Sequence, residues 1–163
     1  MTAGTVFKCM DSVLRTETRQ EDPVPPLINQ FKGLYLDLTQ LPMGEFSRVY
    51  TDDLIFRDPV HQLNSCAELM AYMEHQCQRL TFGRFEYLDQ LVFDDTAYIK
   101  WDMHFVHPSF GEATHRVRGM THIQFRERVF YHEDVYDMGE MLYEKVPLVG
   151  AVTRWLKRRL TVA

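Results

Sequence analysis

Tyr50-Thr51-Asp52-Asp53-Leu54-Ile55-Phe56-Arg57-Asp58-Pro59 marks the place where this chain changes its backbone habit. Just upstream, Phe46, Val49 and Tyr50 recur at the spacing of one face of a short helix. Leu54-Ile55-Phe56 is then a short apolar run, and Pro59 ends it, because proline has no amide hydrogen to give to a sheet. The stretch predicts a short helix that hands over directly to a brief strand. Asp58 stands before the proline, where an aspartate commonly caps a turn with its own side chain.

Working outward toward the N-terminus, Leu27, Phe31, Leu34, Tyr35 and Leu38 follow helical spacing, and Pro42 and Gly44 stop that helix. Residues 1–26 carry Pro23, Pro25 and Pro26 and few apolar residues, so they read as a flexible or loosely docked arm. Within the arm, Val6-Phe7 and Val13-Leu14 could support a short helix.

Toward the C-terminus, Ser65 reads as an N-cap with Glu68 completing a capping box. The helix it opens turns Leu69, Met70, Met73, Cys77 and Leu80 to one side. After Gly83 the period becomes two. Phe85, Tyr87, Leu91 and Phe93 belong to a strand with an irregularity near Asp89, and Asp94-Asp95 turns the chain. Ile99, Trp101, Met103 and Phe105 alternate with polar residues, and so do Val117, Gly119, Thr121, Ile123 and Phe125. Arg126-Glu127-Arg128 is a tight turn into a last strand, Val129 to Met138. Long strands after a block of helices predict an α+β fold, a curved antiparallel sheet wrapped around the N-terminal helices. The helices must cover one face, which would otherwise expose Trp101 and Phe125.

The division expected is an arm at 1–26, one domain at 27–138 and a helical extension at 139–163. In the extension Leu148, Val152, Trp155 and Leu156 share a side, and Arg154, Lys157, Arg158 and Arg159 gather at the end, where cations suit the helix dipole. A plain docking helix over the pocket mouth or the sheet edge is the main expectation for it. Contact with an anionic membrane surface is the lesser one, weakened by Glu140 and Glu144.

Composition narrows the function classes. Apolar residues make up 45% and aromatic residues 13%, enough for a core with bulky walls. The net charge of −5 offers no global basic field to recruit nucleic acid. No apolar run is long enough to span a membrane, and the N-terminus lacks the order of a secretory signal. Cys9, Cys66 and Cys77 are odd in number and show no CxxC spacing, which suits reduced thiols in the cytoplasm. The seven histidines show neither HxH nor HExxH spacing, so no metal and no cofactor is expected, although His104 and His122 share a parity that could make them cross-strand neighbours.

The stretch from Tyr50 to Pro59 resembles the Y-x-D-D-hydrophobic-x-F/E-x-D-P element of ketosteroid isomerases and SnoaL-like polyketide cyclases, members of the nuclear-transport-factor-2-like superfamily. The resemblance covers roughly residues 27–138. It implies a cone-shaped domain with a cavity that holds a small apolar molecule. The tail, His132 to Met138 with Leu142-Tyr143-Glu144-Lys145-Val146-Pro147 and Trp155 to Arg159, is similar to a bacterial subgroup of the superfamily and implies no activity.

The resemblance puts Asp58 where the family has a proton-shuttling carboxylate. Partial desolvation at a cavity rim would raise the basicity of such a group. It matches Tyr35 to a donor aimed at the developing oxyanion. The position of the family's second donor, a protonated aspartic acid, holds Thr121, a weaker acid, and this departs from steroid-type isomerisation.

The last strand adds its own chemistry. His132, Asp134 and Tyr136 share one face with Phe130, and the family alignment points that face inward, whereas the opposite parity would turn Tyr131, Glu133, Val135 and Asp137 inward instead. A His beside an Asp can act as a base held in one tautomer, or the pair can be part of a satisfied polar network.

The leading expectation is therefore a pocket protein that binds a small hydrophobic ligand, with isomerase- or cyclase-like proton transfer as its chemistry. Asp58, Tyr35, His132 and Asp134 are the candidate catalytic residues. Trp101, Met103, Thr121, Ile123, Phe125 and Tyr136 are the candidate ligand contacts. Epoxide-hydrolase-like water activation would want an arginine in the pocket, and Arg57 has the wrong parity for it. The alternative is a non-catalytic interaction module that uses the sheet face and the C-terminal helix. Arg116 and Arg118, on the outer face with Lys100 and Asp102, suggest cross-strand ion pairs, and in the resembling family such a face forms homodimers.

Overall fold

The computed structural model describes residues 24–141 and 147–160. Most of the arm, Cys9 and Leu142 to Val146 lie outside those residues. The first helix, α1 (Pro26–Leu34), starts on prolines, whose fixed φ suits a first turn and whose missing N–H costs nothing there. It buries Ile28, Phe31 and Leu34. Tyr35 caps its C-terminus, and Leu38 lies buried beyond it. A 3₁₀ turn (Met43–Glu45) leads into α2 (Phe46–Val49), which passes without a break into β1 (Tyr50–Arg57). This is the handover expected from the sequence, with a longer strand. A short β2 (Gln62–Leu63) folds back on β1, and α3 (Cys66–Cys77) follows. Ser65 Oγ accepts the Glu68 N–H at 3.1 Å, and the Glu68 carboxylate accepts the Asn64 N–H at 2.8 Å, so both ends of the cap are used.

The meander β3 (Phe82–Phe93), β4 (Thr96–Val106), β5 (His115–Phe125) and β6 (Val129–Tyr136) supplies the rest of one curved, unclosed six-stranded sheet, in the order β2-β1-β6-β5-β4-β3. The sheet is not wholly antiparallel, as had been expected: β1 runs parallel to β6. The chain leaves β1 and β2, crosses through α3, begins the meander at the far edge and returns with β6 beside β1 in the same sense. Helices lie against the sheet face that carries Ile99, Trp101, Ile123 and Phe125, all buried.

Two bulges alter which side chains face inward. Tyr87 pairs with Trp101 and Asp89 with Lys100, so Leu88 is the extra residue. Parity flips there, and Leu91 and Phe93 face out, 44% and 67% exposed. In β6, Gln124 pairs with Tyr131 but Phe125 with Val129, which leaves Phe130 unpaired. Val129 takes the core position, and Phe130 sits half-buried with Arg126 over its ring. The expectation that Phe130 shares an inner face with His132 is thus corrected by one inserted residue.

Two glycines are required by close approach. A Cβ on Gly83 would lie 2.9 Å from Leu38 Cβ, and a Cβ on Gly119 would lie 2.2 Å from Trp101 Cη2. On the outer face Asp102, buried itself, takes Arg116 at 2.5 Å and Arg118 at 3.2 Å. Burial works to raise the Asp102 carboxyl, but the two arginines outweigh it and hold it below the ordinary carboxylate range.

Two further helices close the described chain: α4 (Met138–Met141) and α5 (Pro147–Leu160). Val152, Trp155 and Leu156 of α5 are each about half exposed, so the stripe expected to dock on the domain is not buried by it. Arg159 lies over the Trp155 ring at 4.4 Å instead. The side chains of Leu148, Arg154 and Lys157 lie outside the described set. No helix among the described residues is long and apolar enough to cross a membrane.

Candidate functional site

Five elements each deliver one or two polar side chains to the concave side of the sheet. Tyr35 comes from the end of α1 and Tyr50 from the start of β1. His132 and Asp134 stand two apart on β6 and so point the same way. Thr121 on β5 lies opposite Asp134, and Trp101 on β4 lies opposite Gly119, over whose bare Cα its ring fits.

These six side chains form one continuous line of hydrogen bonds. Tyr35 Oη and Tyr50 Oη are 2.7 Å apart, and Tyr50 Oη is 2.8 Å from His132 Nδ1. His132 Nε2 is 3.1 Å from Asp134 Oδ1. Thr121 Oγ1 donates to the same oxygen at 2.5 Å, and Trp101 Nε1 donates to Thr121 Oγ1 at 2.8 Å.

The direction of the bonds follows from the inventory of donors. An indole N–H can only donate, so the threonine oxygen accepts it and spends its own proton on Asp134. A carboxylate only accepts, so His132 presents Nε2–H to it. Nδ1 of the neutral ring is then an acceptor for Tyr50 O–H, and Tyr50 accepts from Tyr35. Every arrow ends on Asp134, and no donor in the line is left over. Burial, first of all, pushes both phenols well above the ordinary tyrosine value and keeps them as donors.

The line runs through aromatic surroundings. The His132 and Tyr50 rings are within 6° of parallel with centroids 5.9 Å apart, as their in-plane hydrogen bond requires, and Phe31 and Phe56 meet the imidazole edge-to-face at 5.1 and 5.0 Å. Tyr87 bonds the Lys32 carbonyl and Phe85 lies against Trp101. A void of about 40 Å³ remains between these rings and Met73, and Thr121, His132 and Asp134 form its polar wall. That room suits one water or a molecule of a few heavy atoms, well below the roughly 300 Å³ of an ordinary ligand pocket. The ample hollow expected from the sequence is thus mostly filled by its own aromatic lining. The larger hollows are open surface grooves away from the polar line, one of them beside Arg126, Arg128 and Phe130.

The structure brings together Tyr35, His132, Asp134, Thr121 and Trp101. Asp58 stands apart. Its side chain is 3% exposed, Oδ1 accepts the N–H groups of Val60 and His61 at 2.7 and 2.6 Å, and Oδ2 accepts Tyr72 O–H at 2.7 Å. Ile123 and Phe125 belong to the solid core, Met103 packs at its margin, and Tyr136 lies against Trp101 at 6.2 Å. Sequence reasoning missed Tyr50, Phe31 and Phe56; the shared helical face of Phe31 and Tyr35 was the available signal. His104 pairs with Arg116 and His122 with Tyr98, so the two histidines are not cross-strand neighbours. Among the described residues no three His, Cys, Asp or Glu side chains converge as a metal would need.

Comparison with known proteins places this architecture. None of the curated proteins matches the sequence. Among solved structures, a Catenulispora acidiphila protein with a ketosteroid isomerase-like fold, in complex with trimethylamine, is similar at 10% identity and TM-score 0.64, over 74% of this chain and 92% of that one. A Shewanella putrefaciens protein described as a SnoaL-like polyketide cyclase is similar at 18% identity and TM-score 0.63, over 73% and 95%. AclR of Streptomyces galilaeus, described as a hydroxylase, is similar at 14% identity and TM-score 0.61, over 82% and 91%. At these identities the likeness is one of fold. A family model, the SnoaL-like domain, matches residues 38–132, more than half of the sequence, and the chain belongs to that family.

Proposed function

We propose that this protein binds a small molecule in the aromatic void and moves a proton on it, with Asp134 as the base and His132 as its partner. The observation that carries the reading is the convergence of all the donors of a six-residue buried line on the one carboxylate at the void wall. Asp134 is better placed for this than Asp58, whose oxygens already hold three donors. Asp134 takes the proton from the ligand and returns it, while His132, with Nε2–H on Asp134 and Nδ1 accepting from Tyr50, holds the carboxylate in place. Trp101 and Thr121 fix the carboxylate rotamer and share its charge. The trimethylamine held by the Catenulispora neighbour supports a ligand of a few heavy atoms. Cys66 and Cys77 are free, which supports a reducing compartment, the cytoplasm.

The test is a screen for small bound molecules by native mass spectrometry, followed by turnover assays with Asp134→Asn and Asp58→Asn. Loss of turnover in the first with retention in the second supports the assignment. The reverse result overturns it.

A second reading has an observation of its own: the void is small while the outer sheet face is not bare. Tyr98, Met120 and Val135 are exposed around the Asp102–Arg118 pair. On that reading the domain is a non-catalytic module that pairs with a second copy through this face. Sedimentation of wild type and Met120→Glu decides: a dimer that the substitution splits supports it, and a monomer in both dismisses it.

A further inference from the structure

The pocket reading leaves the ligand's charge open, and resting on that reading, we infer that the void selects a small ammonium cation, such as a methylated amine, over a neutral or anionic molecule of the same shape.

The charge on the void's polar wall is uncompensated. Asp134 presents a carboxylate to the void, and its two partners, Thr121 O–H and His132 Nε2–H, are neutral donors in the hydrogen-bond order derived above. Among the described residues no lysine or arginine bonds it. Lys32, whose ammonium lies over the Tyr87 ring of the lining, is bonded to the Gln90 side-chain oxygen instead. A second carboxylate, Asp58, lies close enough to act on Tyr72 and Tyr136, each of which also feels Asp134. The polar wall therefore has a net negative field, and a buried charge without a counter-charge is costly.

The rest of the lining adds to that field. Phe31, Tyr35, Phe85, Tyr87 and Trp101 enclose the void with aromatic rings. Ring faces carry the negative lobe of the quadrupole and attract cations within about 6 Å. The protein already uses one of these rings so, with the Lys32 ammonium 5.2 Å from the Tyr87 centroid. A trimethylammonium group fits both halves of the wall, methyls against the rings and N–H toward Asp134. An oxyanion at the same place would meet a carboxylate and the ring faces, so chemistry that accumulates negative charge there is disfavoured. Half-buried Met73, Phe85, Tyr87 and Asp134 mark where a ligand would enter.

The experiment titrates the full chain, carrying Trp155→Phe so that Trp101 is the remaining tryptophan, with trimethylammonium chloride and with tert-butanol, its neutral near-isostere. Sodium chloride controls for ionic strength. Trp101 fluorescence and isothermal calorimetry at mildly alkaline pH are the readouts. The expected result is saturable binding of the cation at least about tenfold tighter than of the alcohol, with Asp134→Asn bringing the two near parity. Should Asp134→Asn not fold, the comparison of the two ligands on the native site decides alone. Equal or tighter binding of tert-butanol overturns the charge selection and leaves the pocket reading standing. Saturable binding of neither probe overturns both.

Discussion

Tyr50 does more than its neighbours suggest, because its hydroxyl joins two ends of the polar line. Replacing it with phenylalanine leaves both the Tyr35 O–H and His132 Nδ1 without partners in a buried site. An orphaned buried polar group costs about 1–3 kcal/mol. Tyr35→Phe removes only the terminal donor, which is worth about 1 kcal/mol. Urea denaturation should therefore rank Tyr50→Phe as the more damaging change. Gly119→Ala is the sharpest steric case. Its methyl would overlap the Trp101 ring at 2.2 Å, displacing the indole from Thr121 at a cost of about 1–3 kcal/mol. A shift in Trp101 emission alongside the lost stability checks it. At this scale strand parity sets His132 and Asp134 on one face, but only the family resemblance points that face inward. Tyr50 could not be read, since it stands where the helical and strand periods meet and either accommodates it. Nor could the commitment of Asp58, because Tyr72 reaches it from another element.

The elements show where period-two reading stops. It found β4 and β5 correctly, and it sensed the irregularity near Asp89. It could not see that Leu88 and Phe130 are inserted residues, for a bulge is defined by the partner strand and one extra residue turns every later side chain to the other face. The parallel pairing of β1 with β6 is non-local and leaves no local mark in either strand. The cap of α3, by contrast, is wholly local and was legible; Ser65→Ala should cost about 1 kcal/mol by thermal denaturation. Between β4 and β5, the Asp102 carboxyl is lowered in the folded state. Its contribution is therefore complete above the unfolded carboxylate value of about 3.9 and disappears as the pH falls through the lower folded value. Asp102→Asn should be less stable than wild type at neutral pH by about 1 kcal/mol. The gap should close on acidification through that window, as followed by urea midpoints at stepped pH.

Over the whole molecule, helices laid in the hollow of a curved sheet were readable because a block of helical spacing precedes a block of alternation, and an amphipathic sheet must be covered. The volume left inside was not readable. It depends on how Phe31, Phe56, Phe85 and Trp101 interdigitate, a matter of ångströms that composition does not carry. What the fold achieves is a line of neutral donors, drawn from five elements, that ends on one carboxylate in an aromatic enclosure.

The most direct test of that arrangement is the position of the proton on His132. Long-range ¹H–¹⁵N correlation spectra of the labelled protein, with His132 assigned through His132→Gln, should show a protonated, pyrrole-type Nε2 and a bare, pyridine-type Nδ1. A proton found on Nδ1 would reverse the bond to Tyr50, strand the Tyr35 hydroxyl, and contradict the account.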